Sequence, residues 1–245
     1  MARTGRSSPE PWGLNGEEQM RINADFDKPV ILHPEDMTWV PSPLPGVERK
    51  MLDRVGGEVA RATSLVRYAP GSYFDPHVHS GGEEFIVVDG IFSDEHGDYP
   101  AGTYVRNPIG TGHKPHSKNG CTILVKLHQF DAADSKQFSL DIADLEFVDS
   151  GTPGVEFAWL HRFAGEEVKI VRWAPGSSYP EHVHQGGSES YILEGSLADE
   201  FGEYPAGTWE RTPPGWTHAP FSEKGCLAWT KTGHLTSDKL GKFVA

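Results

Sequence analysis

Short apolar segments separated by turn residues run through most of the chain. In residues 67–126, apolar pieces of four to seven residues alternate with clusters of Gly, Pro, Asn and Asp. Gly supplies the positive φ that many turns need, and Pro is tolerated at strand ends and edges. Short strands at this spacing are typical of an antiparallel sandwich or barrel. The pattern therefore predicts an all-β protein.

The same pattern occurs twice. Residues 67–126 align without gaps with residues 172–231, at an offset of 105, and roughly half of the aligned positions are identical. A duplication of this kind predicts two copies of one fold, each near the usual domain size of about 100–150 residues. We expect a flexible N-terminal tail at 1–24, a first barrel at 25–130, a linker with a short helical turn at 131–146, and a second barrel at 147–245.

One motif of the repeat carries candidate metal chemistry. His77 and His79 are one residue apart, so on a strand they face the same side. A carboxylate, Glu83, follows a glycine turn, and a Pro-x-Gly turn further along the chain leads to His113. Three neutral imidazoles and one carboxylate suit a divalent first-row metal and leave coordination positions open.

These motifs resemble those of the cupin superfamily over residues 40–128 and again over 147–235, and residues 90–108 are similar to ChrR-type cupins, named for a zinc-binding anti-sigma factor. The resemblance implies two tandem jelly-roll barrels (double-stranded β-helices), a bicupin. It also implies His77, His79, Glu83 and His113 as ligands of a divalent metal in the first barrel. Fe2+ or Zn2+ is favoured, and Mn2+, Ni2+ and Cu2+ remain alternatives because such sites accept all of them.

The second copy departs from this pattern at its carboxylate. Ser188 stands where Glu83 stands, and the neighbouring acid, Glu189, corresponds to Glu84. Side chains alternate along a strand, so Glu189 faces away from the site unless a bulge at Gly186-Gly187 shifts the register. We expect a second metal here, with Glu189 as its fourth ligand. The predicted ligand set is His182, His184, Glu189 and His218.

Three tryptophans distinguish the second copy. They replace Tyr104, Thr111 and Leu124 of the first copy, and are Trp209, Trp216 and Trp229. If they face the second pocket, that pocket is narrower and more aromatic than the first. The two cysteines, Cys121 and Cys226, occupy equivalent positions at the start of an apolar run, which predicts small core residues and not a disulfide.

Charge and hydropathy limit the possible partners. A formal net charge of −13, without a Lys/Arg cluster, argues against binding a phosphate backbone. No run approaches the roughly 18 apolar residues of a membrane span, and the N-terminal residues lack an apolar signal segment. We therefore expect a cytoplasmic protein with a small-molecule substrate or ligand. The two fused barrels should mimic a cupin dimer by exchanging strands, and a further homodimer is an open possibility.

The resemblance alone does not specify an activity, because cupins include enzymes, storage proteins and sensors. Our leading hypothesis is an Fe(II)-type dioxygenase that cleaves a carbon–carbon bond in a small ketone, diketone or hydroxyketone at the first barrel. The metal would act there as a Lewis acid and as a template for oxygen. One alternative is a zinc-binding, non-catalytic sensor, although the first 60 residues contain no Cys and only His33 to match the zinc domain of ChrR. The other is an O2-independent metal lyase or isomerase.

Overall fold

A computed structural model describes residues 20–57 and 59–241, and it is built almost entirely of strands. The first half contains β1 (Arg21–Ile22), β2 (Val30–Leu32), β3 (Val40–Pro41), β4 (Val47–Gly56), β5 (Ala60–Tyr68), β6 (Ser72–Tyr73), β7 (His77–Val78), β8 (Glu83–Asp94), β9 (Gly97–Pro100), β10 (Thr103–Asn107), β11 (Gly112–His113), β12 (His116–Ser117), β13 (Cys121–Leu127) and β14 (Phe138–Asp141). Short 3-10 turns lie at Pro34–Asp36 and Ile142–Asp144.

The second half repeats this order. It contains β15 (Val148–Thr152), β16 (Val155–Phe163), β17 (Glu166–Trp173), β18 (Ser177–Ser178), β19 (His182–His184), β20 (Ser188–Asp199), β21 (Gly202–Pro205), β22 (Trp209–Thr212), β23 (Trp216–His218), β24 (Phe221–Ser222) and β25 (Cys226–Thr232), followed by the helix α1 (Ser237–Leu240). Within the described ranges, no helix has both the length and the apolar character needed to cross a bilayer.

The two halves form equivalent antiparallel sheets. The order is β1-β4-β5-β13-β8-β10-β14 in the first and β15-β16-β17-β25-β20-β22-β2 in the second. Each half adds a two-stranded sheet that carries the histidine motif, β7 with β11 and β19 with β23. The predicted all-β fold with two jelly-roll barrels is confirmed.

Strands are exchanged between the halves, as the fused-dimer interpretation predicts. Strand β2 lies in the segment assigned to the first barrel, but it pairs with β22 of the second, with Ile31 opposite Glu210. Strand β14 lies in the predicted linker and forms the edge of the first sheet beside β10. The short helical turn predicted there is present at Ile142–Asp144. Of the predicted tail, residues 1–19 lie outside the described residues, and Arg21–Ile22 pair with β4 as β1.

The hydrophobic core has one shared and two separate parts. The shared cluster joins the outer faces of both sheets and includes Leu52, Tyr104, Leu160, Trp209 and Trp229. Each barrel also has its own interior cluster, with Cys121 in the first and Cys226 in the second. Both cysteines are buried and free, so their predicted role as small core residues is confirmed.

Candidate metal centre

The fold of the first barrel brings its four predicted metal ligands together. His77 on β7 lies directly opposite His113 on β11, His79 follows two residues after His77, and Glu83 begins β8. One ligand atom from each of the four residues lies within 4.8 Å of the others. The Glu83 Oε1 atom is 3.4 Å from His79 Nε2 and 3.5 Å from His113 Nε2. Bonds of about 2.0–2.1 Å to a shared metal place two ligand atoms about 3.0–3.4 Å apart, so this spacing fits a metal ion.

The Nδ1 atom of each histidine is held by a neighbour, which turns Nε2 towards the centre. The His79 Nδ1 atom is 3.1 Å from Thr111 Oγ1, and His113 Nδ1 is 3.1 Å from Asp94 Oδ2. The His77 Nδ1 atom lies 2.8 Å from the backbone oxygen of Asp75. Such partners fix the tautomer and ring orientation of metal-binding histidines.

Two observations on these side chains show that the donor set fits a metal. The Nε2 atoms of His79 and His113 are buried without a hydrogen-bond partner, an arrangement that a metal ion would satisfy. The Glu83 Oε1 atom accepts a hydrogen bond from Asn107 Nδ2 at 3.2 Å, which orients the carboxylate. The residues therefore supply three nitrogen donors and one oxygen donor around a common point.

The electrostatics of the histidines differ. Burial lowers the pKa of His79, despite the favourable charge of Glu83, so its imidazole is neutral and able to bind metal at neutral pH. Burial also lowers the pKa of His113, but the hydrogen bond to Asp94 and the charge of Glu83 outweigh it, so the net shift is upward. A metal ion must therefore displace a proton from His113 more often than from His79.

The second barrel assembles three of its four predicted ligands. His182 on β19 lies opposite His218 on β23, and the Nε2 atom of His184 is 3.1 Å from the Nε2 atoms of both. The Nδ1 atom of His218 is 3.0 Å from Asp199 Oδ2. Burial, together with the charges of the neighbouring histidines, lowers the pKa of His184 to about 3. The three imidazoles are close enough to share one metal ion.

The prediction that Glu189 is the fourth ligand of this site is wrong for this structure. Its carboxylate is fully buried on the opposite face of β20, where it accepts hydrogen bonds from Lys126 Nζ at 2.5 Å and Trp209 Nε1 at 2.9 Å. His234 Nε2 is a third neighbour at 3.1 Å. The strand keeps its alternation at this point, so Ser188 faces the histidines and Glu189 faces the other barrel.

The equivalent residue of the first barrel behaves in the same way. Glu84 is fully buried beside Lys231 Nζ at 2.5 Å and Arg106 Nη1 at 2.7 Å. Burial alone raises the pKa of Glu84, but Lys231 and Arg106 outweigh it and hold the pKa well below its ordinary value. Glu84, like Glu189, therefore forms an ion pair with a lysine of the other barrel.

The tryptophans of the second copy do not narrow its pocket. Trp209 and Trp229 belong to the core shared by the two barrels, and Trp216 packs on Phe201 with ring centroids 4.8 Å apart. The histidine site instead opens on a cavity of about 270 Å³ that none of the three tryptophans lines. The cavity walls include Tyr179 and Trp173.

Sequence reasoning missed the aspartates that orient the last histidine of each site. Asp94 contacts His113 and Asp199 contacts His218 through their Nδ1 atoms. A signal was present, because Asp94 and Asp199 occupy equivalent repeat positions at the end of a strand, 105 residues apart like the histidines that they contact. In the sequence these aspartates belong to a cluster of turn residues, and only the folded structure shows that they contact the histidines of the candidate metal sites.

A comparison with known families shows to which family this chain belongs. The profile of the ChrR cupin-like domain matches residues 27–131 and 135–236, one match for each barrel. The chain belongs to this family. The predicted resemblance to ChrR-type cupins is thus confirmed, and the two candidate sites described above are cupin metal-site candidates in a bicupin.

Individual relatives of this ChrR-like cupin are distant. Over 85 residues the chain is 32% identical to the anti-sigma-E factor ChrR of Cereibacter sphaeroides, a match that covers 33% of this chain and 40% of that protein. The match therefore spans less than half of the anti-sigma factor.

Solved structures with far lower identity share the fold. A candidate dioxygenase from Nostoc punctiforme has a TM-score of 0.70 at 15% identity and covers 86% of each chain. A variant of the oxalate decarboxylase of Bacillus subtilis has a TM-score of 0.58 at 14% identity, covering 83% of this chain and 76% of that one. At such identity the likeness extends to the bicupin fold and not to activity.

Proposed function

We propose that this ChrR-like cupin is a metal-dependent enzyme of the dioxygenase type with its reaction centre in the first barrel. The observation that carries the proposal is the convergence of His77, His79, Glu83 and His113, with two buried Nε2 atoms that lack a hydrogen-bond partner. The structural likeness to a candidate dioxygenase supports the same reading.

The donor set suits Fe2+ and Zn2+ alike, and the dioxygenase that we propose would use Fe2+. Three neutral imidazoles and one carboxylate leave a divalent ion with a net positive charge and open coordination positions. When bound, the metal supplies Lewis acidity and a position for oxygen. The protein holds the His113 ring through Asp94 and the Glu83 carboxylate through Asn107.

The shape of the first barrel favours a small substrate that approaches from its mouth. Behind the site, Phe85 and Phe92 pack with ring centroids 4.7 Å apart and fill the interior. Val78, between the ligands His77 and His79, is 67% exposed, so the site lies near the surface. A small enolisable ketone, diketone or hydroxyketone is the substrate class that we propose, because its two oxygens can reach a metal beside a filled interior.

The proposal is tested by loading the protein with Fe2+ without oxygen, adding a panel of diketones and hydroxyketones, and then measuring O2 uptake. We expect substrate-dependent uptake that His79→Ala abolishes. His116→Ala is the control, because His116 is exposed and lies outside the ligand cluster. Absence of O2 uptake with every compound at full iron loading would exclude the dioxygenase.

We also propose a second metal at the three-histidine site of the second barrel. Metal analysis of protein purified without added metal tests this point directly. We expect His79→Ala and His184→Ala each to lose one equivalent. An unchanged metal content in His184→Ala would show that the second barrel holds no metal.

Two other functions are favoured by specific comparisons. The match to the anti-sigma-E factor ChrR favours a zinc-binding sensor that acts on a regulatory partner. A stable complex with a sigma factor in a pull-down would favour this sensor over the dioxygenase. The bicupin fold shared with an oxalate decarboxylase is compatible with a second alternative, an O2-independent lyase or isomerase that uses the same ligands and a metal acting as a Lewis acid. Turnover that continues unchanged under argon would identify that class.

A further inference from the structure

One row of residues on the inner face of the second sheet is polar where the first barrel is mostly apolar. The row runs across four neighbouring strands, β17, β25, β20 and β22, and its members are direct register partners: Lys169, Thr230, Ser190 and Glu210. The equivalent row of the first barrel runs across β5, β13, β8 and β10: Ser64, Val125, Phe85 and Val105. All four positions differ between the copies.

The two rows have opposite consequences for the space beside the histidines. In the first barrel, Phe85 and its neighbours close the interior. In the second barrel, the polar row and the three histidines line the same cavity of about 270 Å³. That space is many times larger than one water molecule needs, so it has room for a small organic ligand.

The fold does not require these polar side chains. Val105 shows that an apolar residue suits the position of Glu210, yet Glu210 is a buried carboxyl group. A buried carboxyl group without a cationic partner costs stability, and among the described ion pairs none contains Glu210. The first barrel shows that the fold forms without this polar row, so the row makes the cavity of the second barrel polar for a reason other than folding.

Lys169, a lysine that lines this cavity, is the second observation that points to a ligand. It is partly buried, and its ammonium lies 5.6 Å from the ring centres of Phe157 and Trp159. In residues 20–57 and 59–241, no carboxylate forms an ion pair with it, although Glu167 lines the same cavity.

We propose that the cavity of the second barrel binds a small organic carboxylate, with the anionic group at Lys169 and the apolar part against Trp173 and Tyr179. Both aromatic residues line the cavity, and the Tyr179 ring packs edge-on against His182 at 5.1 Å between centroids. The Ser190 and Thr230 hydroxyl groups, 3.4 Å apart, lie between Lys169 and Glu210 and offer further hydrogen bonds. This site is independent of the dioxygenase proposed for the first barrel.

Isothermal titration of Zn2+-loaded protein tests the proposal without any need for turnover. The probes are benzoate and 2-oxobutanoate, each beside its neutral amide. We expect one carboxylate to bind per chain, at least tenfold more tightly than its amide. We expect Lys169→Met to weaken carboxylate binding at least tenfold, and Lys118→Met, which removes an exposed lysine of the first barrel, to leave it unchanged.

Further variants separate this site from the first barrel and from misfolding. His79→Ala should lose the first metal and keep carboxylate binding. Lys169→Arg should keep binding within about threefold, and Glu210→Gln should not weaken it, since both retain or increase the positive charge of the cavity. If Lys169→Met does not fold, Lys169→Gln replaces it.

The proposal is overturned if neither carboxylate binds, if the amides bind equally well, or if Lys169→Met binds as tightly as the wild type. Loss of binding in His79→Ala with retention in Lys169→Met would place the anion at the first barrel and would also overturn it. None of these results depends on O2 uptake, so failure here and failure of the dioxygenase are distinguishable.

Discussion

At the scale of single residues, an aspartate that is not itself a ligand orients the last histidine of each candidate metal site. Asp94 lies 3.1 Å from His113 Nδ1, accepts a backbone hydrogen bond from His96 at 2.8 Å, and is contacted by the Tyr99 hydroxyl at 3.3 Å. Asp199 and Tyr204 repeat part of this arrangement in the second barrel. Other hydrogen bonds therefore hold each aspartate in place, and the aspartate in turn orients the imidazole.

Replacement of Asp94 by Asn should weaken metal binding at the first barrel about 10- to 100-fold. Asp94 accepts hydrogen bonds with both carboxylate oxygens, Oδ2 from His113 and Oδ1 from His96 and Tyr99, whereas an amide has only one acceptor oxygen. Competition with a chromophoric chelator measures the affinity. Asp131→Asn is the control, since Asp131 is exposed and its carboxylate only accepts the backbone N–H of Ala133. Equal affinities in Asp94→Asn and the wild type would show that Asp94 does not orient the ligand.

A second residue-scale prediction concerns the buried carboxyl of Glu210. Its pKa in the folded protein, about 7, is above the ordinary value of 4.5. Between these values the folded state keeps a proton that the unfolded state has lost, so stability falls as the pH rises from about 4.5 to 7. Glu210→Gln removes this loss and should stabilise the metal-free protein at pH 8 by about 3 kcal/mol, at about 1.4 kcal/mol for each pKa unit.

The measurement is urea unfolding in the presence of a chelator at several pH values. The gain from Glu210→Gln should shrink towards zero as the pH is lowered to about 5. Glu203→Gln changes the net charge in the same way at an exposed position of β21 and should show no such pH dependence. A gain that is the same at every pH would contradict a raised pKa of Glu210.

At the scale of the structural elements, a glycine within β8 allows the turn before β13 to pack closely against that strand. Gly90 has φ +73°, and a Cβ atom there would lie 2.1 Å from the backbone oxygen of Gly120, just before β13. Gly195 repeats this contact at Gly225 in the second barrel. Gly71 has a similar φ of +78° but no atom within 4 Å of the added Cβ position.

Gly90→Ala and Gly71→Ala therefore form a matched pair. Each substitution should lower the free energy of unfolding by roughly 1–2 kcal/mol, because it places a side chain on a residue with a left-handed backbone conformation. Only Gly90→Ala also forces two backbone segments apart, which should cost a further 1–3 kcal/mol or more. Chemical denaturation measures the difference. Equal losses in the two variants would show that the turn before β13 can move without cost.

At the scale of the whole molecule, buried ion pairs cross between the barrels in both directions. Glu84 of the first barrel binds Lys231 of the second, and Glu189 of the second binds Lys126 of the first. The partners are equivalent in the repeat, so the two pairs are copies of each other. They lie beside the shared apolar cluster and join the two sheets at their outer faces.

The two ion pairs differ in which groups still contact the glutamate when its lysine partner is removed. Lys126→Met leaves Glu189 with Trp209 and with His234, whose pKa burial lowers to about 4 despite the hydrogen bond to Glu189. An uncompensated buried charge costs about 3–5 kcal/mol. Lys231→Met should cost less, because Arg106 still neutralises Glu84.

Urea unfolding of both variants checks this order. The double variant Lys126→Met with Glu189→Gln should recover most of the loss, because it removes the stranded charge along with its partner. A larger loss for Lys231→Met than for Lys126→Met would show that Arg106 does not compensate Glu84.

Much of the molecule follows from local patterns in the chain. The strand rhythm, the duplication and the His-x-His spacing each depend on residues close in sequence, so the all-β class, the two barrels and the convergence of His77, His79, Glu83 and His113 were predictable. Strand alternation also favoured the outward direction of Glu189, but the adjacent glycines allowed a bulge, and only the pairing of β20 with its neighbours excludes it.

Other features depend on which distant strands become neighbours. The exchange of β2 into the second sheet and the placement of β14 beside β10 arise from pairings between segments far apart in the chain. The row from Lys169 to Glu210 joins four strands whose members are 20 to 61 residues apart, so no local pattern displays it. Hydrogen bonds between strands and burial of the shared core select these neighbours, because those free energies exist only once the whole chain has folded.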